Sequence, residues 1–152
     1  MAVNILYQDE HLLLCEKPVG LLSQAGEGDT LLARLEAAAG GQIYPVHRLD
    51  AGVGGLMVYA RTKPAAGALS EAIRQRAFVK EYLCVASGCP DPAGGTMEDL
   101  LFWDTSRGKS FPVSRMRKGV KPASLSYKTL SQRDGLALIA VSLHTLVYSV
   151  VE

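Results

Sequence analysis

The chain has 152 residues, of which 48% are hydrophobic and 20% charged, and its formal net charge is +1. This length suits a single domain over residues 1–152, and the hydrophobic fraction is far too high for a disordered chain. No apolar run reaches the roughly 20 residues of a membrane-spanning helix, and the first residues lack a secretory signal pattern. Three cysteines without a Cys-x-x-Cys pair indicate neither a disulfide framework nor a zinc site, so a cytoplasmic location is expected.

Charge is distributed unevenly along the chain. Residues 1–40 carry six acidic residues against Lys17 and Arg34. The stretch 105–133 has no acidic residue, and its basic residues are Arg107, Lys109, Arg115, Arg117, Lys118, Lys121, Lys128 and Arg133. Such an asymmetry indicates a polyanionic partner. A solvated basic loop would show the same composition, so both interpretations stay open at this point.

The first part of the chain predicts three strands and one helix. Pro18 and Gly20 end the second strand, because proline lacks an N–H donor and glycine permits a sharp reversal. The helix begins after Asp29 or Thr30, either of which can cap it, and its apolar positions recur at helical spacing up to Gly40. The predicted strands are Ile5–Tyr7, Leu12–Glu16 and Ile43–Leu49.

The remainder predicts further strands on either side of a second helix. Thr62 can cap this helix, and Pro64 lies in its first turn, where a missing N–H costs little. A loop is expected from Gly88 to Gly95. Because strands outnumber helices and short links join several of them, the expected fold class is α+β, with a mixed, largely antiparallel sheet and flanking helices. The predicted strands are Leu56–Ala60, Phe78–Ala86, Leu100–Trp103, Leu125–Leu130 and Leu136–Leu143.

Asp50 is the first candidate for chemistry. It lies where a predicted strand gives way to the glycine-rich turn 51–55, so its carboxylate can reach into a cleft. Arg48 shares its face if the strand persists that far, and a guanidinium there favours the charged form that a nucleophile or base requires. The same spacing also fits a surface ion pair at a turn, which is common and contributes little. The residues alone leave both interpretations open.

Lys80 and Tyr82 form the second candidate pair, because residues two apart on a strand present their side chains on one face. A phenol ring can stack on a base while its hydroxyl exchanges a proton. A half-buried tyrosine beside a lysine that extends its ammonium to solvent would give the same pattern. The three histidines show no metal-ligand spacing, so no metal site is expected.

Three motifs, taken in order, resemble those of RluA-type pseudouridine synthases. The segment His47-Arg48-Leu49-Asp50, followed by Gly55 and an apolar strand, is similar to the signature His-Arg-Leu-Asp of that family. The early segment Lys17-Pro18-Val19-Gly20 resembles its Lys-Pro-x-Gly motif, and Lys80-Glu81-Tyr82 resembles its Lys-x-Tyr motif. The resemblance covers about residues 5–145. Each motif alone is weak, whereas the three together are specific.

The resemblance implies an enzyme that isomerises uridine to pseudouridine in structured RNA, either ribosomal or transfer RNA, without a metal or an organic cofactor. Asp50 would then be the catalytic carboxylate. Tyr82 would stack on the target uracil and take its C5 proton. Contacts with RNA are expected from His47, Arg48, Lys17, Lys80, Arg115, Arg117 and Lys118.

Two features depart from the family's pattern. Val53-Gly54 stands where Thr-Ser is usual, which removes two hydroxyls beside the site. After Leu143-His144-Thr145, the expected Gly-Arg-x-His-Gln-Ile-Arg is replaced by residues 146–152. We therefore expect an incomplete catalytic domain that lacks its C-terminal part, has no N-terminal S4-type domain and is impaired in activity. Such a domain would expose apolar sheet surface and an unpaired edge strand. Two alternatives stay open: a non-catalytic RNA-binding remnant, and an unrelated α+β domain.

Overall fold

The computed structural model describes residues 3–145 and divides the chain into two compact units, Met1–Phe78 and Val79–Glu152. The expectation of a single domain is not tested by this division and stays a prediction. The departure from the family pattern after Thr145 lies outside the described residues. Neither of the helices in the described part of the chain is long and apolar enough to span a membrane.

The first unit is a four-stranded antiparallel sheet with two helices. Its elements are β1 Asn4–Gln8, β2 Leu12–Lys17, α1 Leu31–Ala39, β3 Tyr44–Pro45, β4 Gly55–Ala60 and α2 Lys63–Arg74. The strand order is β1-β2-β4-β3. The register of β2 on β4 runs from Leu12 opposite Ala60 to Lys17 opposite Gly55. The end of β2 therefore lies beside the glycine-rich turn that follows Asp50.

Alternate residues of the two central strands build the core of this unit together with α1. Leu13 and Cys15 of β2 and Met57 and Tyr59 of β4 are almost completely buried, because successive side chains of a strand point to opposite faces. Burial raises the pKa of the Cys15 thiol to about 11. The buried cluster as a whole consists of Leu13, Cys15, Leu21, Leu31, Leu35, Ile43, Met57 and Tyr59.

Both helices begin at threonine caps. The Thr30 hydroxyl accepts a hydrogen bond from the Ala33 N–H at 3.2 Å, so Thr30, rather than Asp29, caps α1. Gly40 ends α1 in the left-handed conformation, with φ of 69°, which glycine adopts without a steric penalty. Thr62 caps α2 in the same way as Thr30 caps α1. The limits predicted for α1 from capping residues and periodicity are therefore correct.

The second unit is a five-stranded antiparallel sheet. Its strands are β5 Glu81–Ser87, β6 Gly94–Asp104, β7 Lys109–Pro112, β8 Val120–Arg133 and β9 Leu136–Leu143. Among the described strands the order is β5-β9-β8-β6-β7, which leaves β5 at one edge of this set. The two helices and two antiparallel sheets found within residues 3–145 confirm the predicted α+β class with largely antiparallel strands.

Several predicted boundaries were wrong. The strand expected at Ile43–Leu49 consists only of Tyr44–Pro45, since Pro45 has no N–H to donate and Leu49 bonds to a side chain instead of a strand. The loop expected at Gly88–Gly95 gives way to β6 at Gly94.

The basic stretch 105–133 is not one loop, because it contains β7 and the whole of β8. Strands β6 and β8 extend well beyond the segments predicted for them. Their length comes from a continuous register between the two strands, from Gly94 opposite Lys128 to Phe102 opposite Val120. Cross-strand pairing of this kind stabilises polar residues in a strand conformation. In the sequence the same polar residues make the segment look less like a strand.

Candidate active site

Asp50 lies on the irregular segment between β3 and β4, where the chain turns back into the sheet. Its carbonyl oxygen accepts a hydrogen bond from the Val53 N–H at 3.0 Å, which closes the turn. Its side chain is 34% exposed, and Nη2 of Arg48 lies 3.4 Å from its Oδ1. The structure therefore brings Arg48 and Asp50 together, although no strand carries them. The carboxylate can be reached from solvent, and its guanidinium partner is itself exposed.

The backbone on both sides of Asp50 is held by the segment 17–23. On the N-terminal side, Oγ of Ser23 lies 2.9 Å from the carbonyl oxygen of Leu49 and 3.3 Å from its N–H. On the C-terminal side, the carbonyl oxygen of Ala51 accepts hydrogen bonds from the Gly20 N–H at 2.6 Å and from Nζ of Lys17 at 3.3 Å. The position of the catalytic candidate thus depends on hydrogen bonds to residues 26 to 34 positions earlier in the sequence.

Gly54 allows the two segments to approach this closely. A Cβ atom at this position would lie 3.2 Å from Cγ2 of Val19 and 3.3 Å from the carbonyl oxygen of Lys17. Both distances are tighter than ordinary van der Waals contact. Glycine in place of the family's usual serine therefore fits the close packing of the turn against the segment 17–23.

Lys17 is 1% exposed, and its ammonium group donates to the carbonyl oxygens of Pro18 at 3.0 Å and Ala51 at 3.3 Å. Desolvation lowers the pKa of Lys17, and the nearby Asp50 carboxylate opposes this shift. The Lys17 ammonium group is therefore bonded to backbone carbonyls inside the first unit, near the Asp50 carboxylate. Its contact with RNA stays a prediction.

His47 is also engaged within the first unit. Its Nε2 accepts a hydrogen bond from the N–H of Val58 in β4 at 3.1 Å, which requires that this nitrogen carry no proton. The imidazole lies 5.4 Å from the Phe78 ring, measured between centroids. His47 thereby ties the start of the motif to the sheet, and its predicted contact with RNA is likewise untested.

Tyr82 and Lys80 belong to the second unit. Tyr82 lies on β5 opposite Val141 of β9, which in turn lies opposite Tyr127 of β8. These paired residues share one face of the sheet. Tyr82 is half-buried, as is Lys80, whereas Glu81 between them is exposed. Burial lowers the pKa of Lys80.

Exposed basic residues surround the β6–β7 hairpin and the start of β8. Arg115, Arg117 and Lys118 are all exposed. The Arg117 guanidinium lies 4.9 Å from the centroid of the Phe102 ring, and the Arg107 guanidinium lies 5.6 Å from that of Phe111. Phe102 and Phe111 pair across β6 and β7, so the two rings lie on the same face. Cation–π contacts of this kind hold a guanidinium in place while leaving its edge N–H groups available for phosphate.

Ser23 and Tyr59 are parts of the site that sequence reasoning missed. Ser23 is 3% exposed, and its carbonyl oxygen accepts a hydrogen bond from the Tyr59 hydroxyl. The sequence contains one indication of Ser23, because this residue directly follows the apolar pair Leu21-Leu22 next to the early Lys-Pro-x-Gly motif. Within residues 3–145 no three His, Cys, Asp or Glu side chains are grouped so that they could hold a metal ion.

The comparisons with known proteins agree on one family. Residues 11–145 match the family model described as RNA pseudouridylate synthase. The chain is 38% identical over 108 residues to the dual-specificity RNA pseudouridine synthase RluA of Salmonella typhi, which covers 66% of this chain and 47% of that protein. It is 31% identical over 155 residues to an uncharacterised RNA pseudouridine synthase of Mycobacterium bovis, covering 94% and 49%. The chain thus spans about half the length of these curated relatives.

Two solved human structures resemble the chain. RNA pseudouridylate synthase domain containing 4 has a TM-score of 0.78 at 26% identity, covering 95% of this chain and 60% of that one. RNA pseudouridylate synthase domain containing 1 has a TM-score of 0.80 at 20% identity, covering 94% and 60%. At that lower identity the second likeness concerns the fold alone.

Proposed function

The chain belongs to the RluA-type branch of the RNA pseudouridylate synthase family, and on that premise we propose that it isomerises uridine to pseudouridine in structured RNA. The observation that carries the proposal is the accessible Asp50 carboxylate on a turn whose backbone is held on both sides by the segment 17–23. A catalytic group must be held within a fraction of an ångström of its productive position, and this arrangement supplies such support.

The proposed reaction rearranges one nucleotide without a second substrate. The C1′–N1 bond breaks, the uracil turns, a C1′–C5 bond forms, and the proton lost from C5 is balanced by one gained at N1. Asp50 acts either as a nucleophile toward the sugar or the base, or as a base at the 2′ position. Tyr82 stacks on the uracil and takes the C5 proton. Neither a metal nor an organic cofactor is part of this proposal.

RNA binding supplies the energy that exposes the target base. Removing a base from its stack costs on the order of a few kcal/mol, which contacts with the rest of the RNA must offset. The exposed side chains of Arg115, Arg117 and Lys118, in a stretch without acidic residues, are suited to phosphate contacts. Arg48 is also exposed and lies beside Asp50. We place the reaction on ribosomal or transfer RNA in the cytoplasm.

The test is tritium release from RNA labelled at uridine C5, comparing the wild-type chain with Asp50→Asn. We expect release by the wild type and at least about a 1,000-fold lower rate in the variant, since the amide cannot act as nucleophile or base. Asp134→Asn is the matched control, because the Asp134 carboxylate is exposed. The backbone of this residue has a φ of 51°, a conformation that asparagine also tolerates. Equal release by wild type and Asp50→Asn would contradict the role of Asp50.

A second candidate function is RNA binding without catalysis, which the exposed basic residues of the second unit favour. It predicts that the folded wild type binds unmodified ribosomal and transfer RNA in a filter-binding assay, with an affinity that Asp50→Asn leaves unchanged, but forms no pseudouridine. Product formation by the wild type would exclude it.

A further inference from the structure

Leu49, the residue before Asp50, bonds through both of its backbone polar groups to one serine side chain. In a sheet these groups would instead bond to the backbone of a neighbouring strand. Oγ of Ser23 donates to the Leu49 carbonyl oxygen at 2.9 Å and accepts from the Leu49 N–H at 3.3 Å. A single hydroxyl can serve both groups because it is a donor and an acceptor. Ser23 is 3% exposed, so water does not easily replace it in this place.

Ser23 is itself held from two directions. Its carbonyl oxygen accepts the Tyr59 hydroxyl, and Tyr59 is completely buried in β4. Burial raises the pKa of Tyr59, so the phenol stays protonated and remains a donor over the whole physiological range. The carbonyl oxygen of the preceding residue, Leu22, accepts a hydrogen bond of 2.8 Å from the N–H of Leu31, the first residue of α1. The position of Ser23 is thereby fixed by the strand β4 and by the helix α1.

We propose that Ser23 is a positioning residue for Asp50. Through its hydrogen bonds to the N–H and carbonyl groups of Leu49, Ser23 fixes the direction of the Asp50 carboxylate. This inference rests on the proposed function. Because Leu49 is outside any strand, no neighbouring strand bonds its N–H and carbonyl groups. Loss of the Ser23 hydroxyl would therefore let the backbone before Asp50 shift, and the Asp50 side chain would shift with it. A displacement of about 1 Å at a catalytic group can cost roughly 100-fold in rate.

The kinetic test compares Ser23→Ala and Ser23→Thr with the wild type in the tritium-release assay. We expect kcat to fall about 10- to 100-fold in Ser23→Ala while KM for RNA changes less than about 3-fold, since Ser23 is buried and acts in this proposal only through the backbone of Leu49. Ser23→Thr keeps the hydroxyl and should recover most of the loss. Tyr59→Phe, which releases the Ser23 carbonyl, should lower kcat in the same direction by a smaller factor.

A structural readout accompanies the kinetics. The amide hydrogen of Leu49 should exchange with solvent at least about 10-fold faster in Ser23→Ala, because its acceptor is gone. Thr62→Ala serves as a control, since it destabilises the same unit at the cap of α2, a helix that takes no part in the hydrogen bonds described for Ser23. It should leave both kcat and the Leu49 exchange rate near wild type. That result would exclude a general loss of stability as the cause.

The outcomes separate the two proposals. Wild-type kcat in Ser23→Ala, or an unchanged Leu49 exchange rate, would overturn the role of Ser23 while leaving the proposed function intact. A loss of kcat that is equally large in Thr62→Ala would also overturn it. A folded wild type that releases no tritium would overturn the proposed function, and with it the positioning role of Ser23.

Discussion

Polar residues around the motif of the first unit fall into two groups: some bond to the main chain, and others keep side chains that a ligand can reach. Lys17, Ser23 and His47 each form hydrogen bonds to main-chain groups near the motif. Asp50 and Arg48 keep accessible side chains. Buried polar groups are costly unless they are paired, so the first set stabilises one arrangement of the loop. The second set is left available for chemistry.

Asp9 gives a test of the local structure at acid pH. Its Oδ1 accepts the backbone N–H groups of His11 and Leu12, both at 2.7 Å, in the turn between β1 and β2. These hydrogen bonds, with that from the Tyr7 hydroxyl, lower the pKa of Asp9. A carboxylate whose pKa is lowered by folding contributes stability above its unfolded value of about 3.9, and this contribution is lost as pH falls through the folded pKa.

We therefore expect the unfolding temperature of Asp9→Asn to fall less steeply than that of the wild type as pH is lowered from 5 toward 2.5. The asparagine keeps an acceptor oxygen but does not titrate. Calorimetry over this pH range measures the difference. Glu10→Gln, which removes an exposed carboxylate from the same turn, should change the acid dependence less. Parallel curves for wild type and Asp9→Asn would contradict the expectation.

At the scale of elements, the two helices differ in what stabilises them. Leu31 and Leu35 of α1 are completely buried against the sheet of the first unit. The longer helix α2 has no fully buried residue among those described. Short helices are marginal in water, so α1 depends on its packed face.

Truncating one leucine in each helix tests this difference. We expect Leu35→Ala to lower the free energy of unfolding by about 2–5 kcal/mol, the range for a buried leucine whose removal leaves a cavity. Leu69→Ala in α2 should cost about 1 kcal/mol or less, because Leu69 is only partly buried. Urea denaturation followed by circular dichroism measures both. Similar losses in the two variants would contradict the comparison.

At the scale of the whole molecule, the second unit has an apolar edge strand. Leu83 and Val85 of β5 are 69% and 67% exposed, and Val79, two residues before this strand, is 76% exposed. Only one side of β5 pairs with a described strand, β9. An exposed apolar edge favours association with other chains.

The double variant Leu83→Thr with Val85→Thr should reduce self-association. Threonine retains strand propensity while removing apolar surface, so the fold of the second unit should persist. Sedimentation velocity at increasing protein concentration measures the effect. Met116→Thr, which alters an exposed apolar residue away from this edge, is the control and should behave as the wild type. Unchanged association in the double variant would show that β5 is not the contact.

Much of the framework could be predicted from the sequence because its determinants are local. A capping residue and helical periodicity located α1, and the strand-like composition of residues 136–143 located β9 at its observed limits. The motifs around Lys17, Asp50 and Tyr82 identified the family, which residues 11–145 match. These features depend on neighbours within a few residues, and such neighbours are visible in a sequence.

Only the tertiary structure decided how the candidate site is held. The hydrogen bonds of Ser23 to Leu49 and of Lys17 to Ala51 join residues 26 and 34 positions apart. No local propensity specifies such pairs, because they form only when two irregular segments pack at the end of the same strands. The same contacts explain why the expected strand at Ile43–Leu49 is largely irregular and why Lys17 faces inward. The sequence by itself determined the family and the identity of the carboxylate candidate, whereas long-range packing determined which side chains support it.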